Sequence, residues 1–171
     1  CKRCEICEPF KQGVCHLITL LNLGDGKDSI KNVIDRRAGV DYGITAPNAL
    51  TIVGIIGTMV IVFYNDEVMG ASIDEIVKWI ADTCKQFNTY AISPDPSMTG
   101  RAMSEKLDEM GFATYLLDES AKEQRIFNMK SFVERHQIII PSAFWHLTNS
   151  LKKAAYDEHG KVRKIDDHSL D

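Results

Sequence analysis

No long apolar run occurs in this 171-residue sequence. Its most hydrophobic stretch, about Ala49 to Tyr64, is interrupted by Thr51, Gly54, Gly57 and Thr58. That is too short and too broken to cross a bilayer as a helix, so no membrane partner is expected. No basic, apolar leader opens the chain, so a secretory signal is not expected either. Internal repeats and low-complexity segments are lacking, and 44% hydrophobic with 26% charged residues argues against a disordered or fibrous chain. There is no excess of positive charge. A net charge of −4 and a pI near 5.7 speak against a protein that coats nucleic acid non-specifically. The same balance does not exclude a nuclease, because metal-binding carboxylates lower the total while basic patches elsewhere grip phosphates. Cysteine is almost missing beyond residue 15, where only Cys84 remains.

The chain divides in two by pattern. Residues 1–35 hold Cys1, Cys4, Cys7 and Cys15, an apolar run from Leu17 to Leu23, and the turn-rich link Gly24-Asp25-Gly26-Lys27-Asp28. Residues 36–171 are regular and long enough for one domain. The start at Cys1, without Met, and the stop at Asp171 inside a helical pattern are expected of a piece of a longer protein.

Within the second part, Ala38 to Asp41 reads as a strand ending at an acid. Ala49 to Ile56 and Met59 to Tyr64 form a hairpin about Gly57-Thr58. Ser72-x-x-Glu75 is a capping box, with Ile76, Ile80, Ala81 and Cys84 at helical spacing behind it. Thr89 to Ser93 is a fourth strand stopped by Pro94-Asp95-Pro96. A helix over Ser97–Met110 is closed by Gly111. Phe112 to Leu117 reads as a fifth strand, and Ser120-x-x-Glu123 as a second capping box with Ile126, Met129 and Val133 on one face. Ile138 to Ile140 is a brief strand, and Ala143 to Ala155 a helix. Asp157 to Gly160 is a hairpin turn, and Asp166 to Asp171 starts a last helix. The order implies an α/β fold: a mixed sheet of five to six strands, an antiparallel meander followed by parallel strands, flanked by helices.

In such a sheet, chemistry belongs at the carboxyl ends of the strands. Asp41 and Asp95 stand at two such ends, and Asp166, Asp167 and Asp171 at the closing helix. A strand-end Asp is commonly a turn residue or an N-cap, and Asp166 or Asp167 fits a cap. Asp171 lies inside the helix, where capping does not explain it. Three converging carboxylates repel one another and persist where divalent cations neutralise them. Hard oxygen donors suit Mg²⁺ or Mn²⁺, and a pair of such ions catalyses in-line phosphodiester hydrolysis.

Gly39-Val40-Asp41-Tyr42-Gly43 with Thr45-Ala46-Pro47-Asn48-Ala49, then Ser93-Pro94-Asp95-Pro96-Ser97, then Asp167-His168-Ser169-Leu170-Asp171, resemble in order and spacing the nuclease domain of tailed-phage large terminases. The resemblance covers about residues 37–171. It implies a ribonuclease H-like fold and a two-metal endonuclease that cuts double-stranded concatemeric DNA during genome packaging, in the cytoplasm of the infected host cell. Carried over by position, Asp41, Asp95 and Asp171 would be metal ligands, with Asp167 in reserve and His168 at the metal or beside it. The full proteins of that family carry an N-terminal ATPase and work with a small terminase subunit and a portal. No glycine loop with its Lys-Ser/Thr is present here, so the chain corresponds at most to the nuclease half.

Two further features stand beside the acids. The cysteines, spaced Cys1-x2-Cys4-x2-Cys7-x7-Cys15, suffice for a structural Zn²⁺ site. An iron–sulfur run would place Cys-Pro where Phe10 and Lys11 stand. Unligated thiols are the third reading. Lys152, Lys153, Lys161, Arg163 and Lys164, against Asp157 and Glu158, make a basic segment able to follow a phosphate backbone or simply to face solvent. Lys122, Arg125 and Lys130 are expected in solvent, and Trp79, Phe127, Phe132, Trp145 and Cys84 in the core. A resolvase or integrase-like nuclease is the competing enzyme, and a non-catalytic docking module for DNA or portal is the competing binding protein. Intact acids at three positions disfavour the module.

Overall fold

Alternation along Asp35–Asp41 (β1) sends Ala38 and Val40 into the core and leaves Arg37, Gly39 and Asp41 on the opposite face. The computed structural model describes residues 35–43, 46–56 and 58–153. The N-terminal cysteines, the hairpin turn at Asp157–Gly160 and the closing helix therefore lie outside the described residues. β1 pairs antiparallel with β2 (Asn48–Ile56), from Asp35 opposite Ile55 to Asp41 opposite Ala49. β2 pairs antiparallel with β3 (Met59–Val68), with a register shift at Ile52/Val53. On the other side β1 runs parallel to β4 (Ala91–Pro94), with Ala38 beside Ile92 and Val40 beside Pro94. β5 (Ala113–Thr114) continues from β4 in parallel, and β6 (Ile138–Ile139) pairs parallel with β3. The result is a six-stranded mixed sheet, ordered β5-β4-β1-β2-β3-β6.

Helix α1 (Ile73–Gln86) and α2 (Met98–Glu109) cover one face. The α1 residues Ile76, Val77, Ile80, Ala81 and Cys84 repeat on one stripe and pack with Leu50, Ile52, Ile61 and Ile92 of the sheet and Met103 and Leu107 of α2. Fully burying a side chain such as Leu50 or Ile80 contributes about 1.5–3 kcal/mol. Ser72 caps α1 in full: its hydroxyl accepts from the Glu75 amide and the Glu75 carboxylate accepts from the Ser72 amide at 2.8 Å. Gly111 follows α2 at φ +88°, a left-handed position that glycine takes without strain.

Three expectations need correction. The fifth strand is only Ala113–Thr114. Tyr115 adds one more ladder bond, its N–H to the Ile92 carbonyl, before the chain leaves the edge. Ser120 caps nothing: its hydroxyl and amide both donate to Asp118 Oδ1, at 2.7 and 2.9 Å, closing a local turn. A 3₁₀ turn at Glu119–Ala121 follows, and α3 (Lys122–Glu134) begins without a side-chain cap. Phe127 and Trp145 are exposed, at 64% and 55%, whereas Trp79 packs against the core as expected. They stand on α3 and on α4 (Trp145–Lys153, after a 3₁₀ turn at Ser142–Phe144). Arg125 and Lys130 make exposed contacts: Arg125 donates to the Asp118 carbonyl, and Lys130 pairs loosely with Glu134 at 3.7 Å. Among the described residues no helix is long and apolar enough to cross a membrane.

Candidate metal centre

β1 is the point where the sheet changes sense, antiparallel to β2 and parallel to β4. Two parallel neighbours that end together leave a crevice beyond their carboxyl ends, and both ends carry an acid. Asp41 is the last residue of β1, and Asp95 is the first after β4. The Asp95 amide donates to the Val40 carbonyl at 2.9 Å, which extends the parallel register by one step and sets Asp95 beside Asp41. Both side chains are half-buried.

Asp95 is held from below by the first turn of α2. Its Oδ1 accepts the Ser97 amide at 2.8 Å, while the Ser97 hydroxyl caps the helix by accepting the Gly100 amide at 3.0 Å. A carboxylate there also meets the positive end of the helix dipole. Gly100 permits the approach. A Cβ on it would lie 2.2 Å from the Asp95 carbonyl oxygen and 2.7 Å from Oδ1. Oδ2 accepts no hydrogen bond among the described residues. One carboxylate oxygen is thus anchored and the other remains for a ligand.

On the Asp41 side, Gly43 lies close against Ala46. A Cβ on Gly43 would stand 2.6 Å from the Ala46 carbonyl oxygen, so only glycine fits there. Between them, Tyr42 drops into the core at 7% exposure, and its hydroxyl has no hydrogen-bond partner among the described residues. Burial, then the nearby Asp95 charge and Cys84, push the phenol well above its ordinary pKa, so it stays a proton donor. Burial alone pushes the Cys84 thiol up to about 12, which fits an inert core cysteine.

The structure therefore brings Asp41 and Asp95 together. Asp171, Asp167 and His168 lie outside the described residues, as do Lys161, Arg163, Lys164 and the four N-terminal cysteines. Lys152 and Lys153 fall in the last turn of α4. Among the described residues no three His, Cys, Asp or Glu side chains are gathered as a metal cluster. Sequence reasoning passed over Gly100 and Tyr42. The first could have been noticed as a glycine inside a helix, where it costs about 1 kcal/mol relative to alanine without a compensating role.

No protein-family model matches the sequence, and no curated protein matches it significantly. Solved structures do match its fold. The chain is similar to the large terminase of a thermophilic bacteriophage, with a TM-score of 0.70 and 14% identity over 80% of this chain and 36% of that one. It is also similar to the large terminase nuclease of another thermophilic phage, G20c, solved with bound magnesium (TM-score 0.67, 18% identity, 80% of this chain and 77% of that one). The same phage G20c nuclease has been solved with bound zinc, and matches with a TM-score of 0.64 and 18% identity over 80% of this chain and 76% of that one. This chain spans little more than a third of the phage terminase it matches first. With its six-stranded mixed sheet and its acids at the carboxyl ends of β1 and β4, the chain has the ribonuclease H-like fold of the large terminase nucleases.

Proposed function

We propose that this chain is a divalent-metal-dependent endonuclease domain that cleaves double-stranded DNA during viral genome packaging. The pair Asp41 and Asp95 carries the reading. Two half-buried carboxylates at adjacent strand ends repel each other, a cost that a divalent cation offsets. The donors fit Mg²⁺ or Mn²⁺: carboxylate oxygens are hard ligands, and Asp95 presents one oxygen with no competing hydrogen bond among the described residues. Asp41, Asp95 and Asp171 would hold two ions, with Asp167 as the reserve for the third position. When bound, the ions supply charge stabilisation at the phosphate and an activated water at neutral pH.

The remaining work falls to the chain's own residues. Ser97 and Gly100 fix the direction of Asp95. His168, three residues before Asp171, would share a face with it on a helix and there position water or a phosphate oxygen. Lys152, Lys153, Lys161, Arg163 and Lys164 hold the DNA backbone, and Cys1, Cys4, Cys7 and Cys15 form a separate structural Zn²⁺ site. In the whole protein an ATPase domain, a small terminase subunit and a portal would be the partners, within the infected host's cytoplasm. Plasmid incubated with the protein in Mn²⁺, in Mg²⁺ and in chelator tests the proposal. Metal-dependent nicking and linearisation are expected. Equal cutting in chelator, or none in either metal, overturns it.

A further inference from the structure

We infer that Tyr42 is a positioning residue for the metal centre, its hydroxyl donating to the Asp95 carboxylate when that carboxylate is drawn onto a cation. The inference rests on the metal-centre reading above. Buried polar atoms in native proteins are almost always hydrogen-bonded, so a buried hydroxyl with no partner among the described residues demands a role. Tyr42 is placed to have one. It directly follows Asp41, and Val40, which precedes that acid, accepts the Asp95 amide at 2.9 Å. Tyr42 belongs to the core cluster that includes Met103 and Leu107 of α2, the helix whose first turn holds Asp95. The parallel register sets Val40 beside Pro94, so Tyr42 leaves β1 at the same end at which Asp95 leaves β4.

A phenylalanine would fill the same space and serve packing equally well. The hydroxyl therefore contributes nothing to the described fold that Phe would lack. Its value lies in a state where Asp95 is reoriented, and carboxylate ligands are commonly fixed by an outer hydrogen bond of this kind. The donor would restrict which way the carboxylate turns, leaving Oδ2 toward the cation.

The test compares wild type, Tyr42→Phe, Asp95→Asn and the exposed control Tyr115→Phe, all as the full chain. Two quantities are measured: Mn²⁺ affinity by calorimetry and the melting temperature in chelator. Tyr42→Phe is expected to weaken Mn²⁺ binding about 10–100-fold, the range found for outer-sphere partners of metal ligands. Its melting temperature in chelator should equal or exceed that of wild type, because no existing hydrogen bond is lost. Tyr115→Phe should change neither. Unchanged Mn²⁺ affinity in Tyr42→Phe overturns the inference, and so does a lower melting temperature in chelator, which would show a hydrogen bond already made without metal. Wild type that binds no Mn²⁺, or binds it as well as Asp95→Asn does, overturns the metal centre itself and the inference with it.

Discussion

Helices α1 and α3 are nearly equal in length, 14 and 13 residues, yet they are held in opposite ways. α1 opens on a complete capping box and buries Ile76, Val77, Ile80, Ala81, Thr83 and Cys84. α3 opens without a side-chain cap and has no fully buried residue. The strands follow suit: β1 to β3 run for seven to ten residues, whereas β6 beside α3 has two. Asp41 and Asp95 stand on the well-packed half, with α2 closing on Asp95. Asp41 and Asp95 thus stand beside long strands and the buried stripe of α1, while α3, on the way to Asp171 in sequence, has no fully buried residue. A metal centre that needs all three would then couple the two halves.

The largest effect should come from the acids. Asp41→Asn, Asp95→Asn and Asp171→Asn are each expected to abolish cleavage in both Mg²⁺ and Mn²⁺, measured on plasmid with folded variants. His168→Ala should slow cleavage about 10²–10⁴-fold, the range for a positioned acid–base group. A fully active Asp171→Asn enzyme would move the third ligand to Asp167.

The contrast between the halves can be tested by truncating their apolar residues. Ile80→Ala should cost about 2–5 kcal/mol in denaturant unfolding, as for other buried large-to-small changes. Ile126→Ala in α3, partly exposed, should cost less than about 1 kcal/mol. Amide exchange should report the same division, with α1 protected to near the global stability and α3 opening locally. Equal costs would dissolve the contrast.

Gly100→Ala sets two expectations against each other. Helix propensity alone predicts a gain of about 1 kcal/mol. The 2.2 Å approach to the Asp95 carbonyl predicts instead a net loss of about 1–3 kcal/mol from overpacking, together with weaker Mn²⁺ binding. A stabilised Gly100→Ala would mean that α2 moves freely over Asp95.

The smallest effect concerns the α1 cap. Glu75 is held below its ordinary pKa by the Ser72 amide, and after that by the Ser72 hydroxyl. A depressed carboxylate stabilises the fold above its unfolded-state pKa, and that contribution fades as pH falls through the folded-state value. Glu75→Gln should therefore flatten the loss of stability on acidification in the carboxylate range and leave stability above neutrality with no new slope. Unfolding measured across that range checks it.

Much of this arrangement was legible because it is local. The alternation ending at Asp41, the stop at Pro94-Asp95-Pro96 and the capping box at Ser72 each depend on a few consecutive residues. The same Ser-x-x-Glu spacing misled at Ser120, because Asp118 two residues earlier captures the hydroxyl that would have capped α3. Phe127 and Trp145 misled for another reason. Helical spacing tells which residues share a face, but not whether another element covers it. Gly100 and Tyr42 escaped because their significance is tertiary: one is defined by a backbone approach from the end of β4, the other by the burial of a hydroxyl without a hydrogen-bond partner among the described residues.

Asp41 and Asp95 are expected to share one cation beyond the ends of β1 and β4. Anomalous diffraction from crystals soaked in Mn²⁺ looks for that cation itself. A manganese peak is expected between the carboxylates of Asp41 and Asp95, and it should vanish in Asp95→Asn crystals. Manganese bound elsewhere in the chain, with none between these two acids, would refute the shared site.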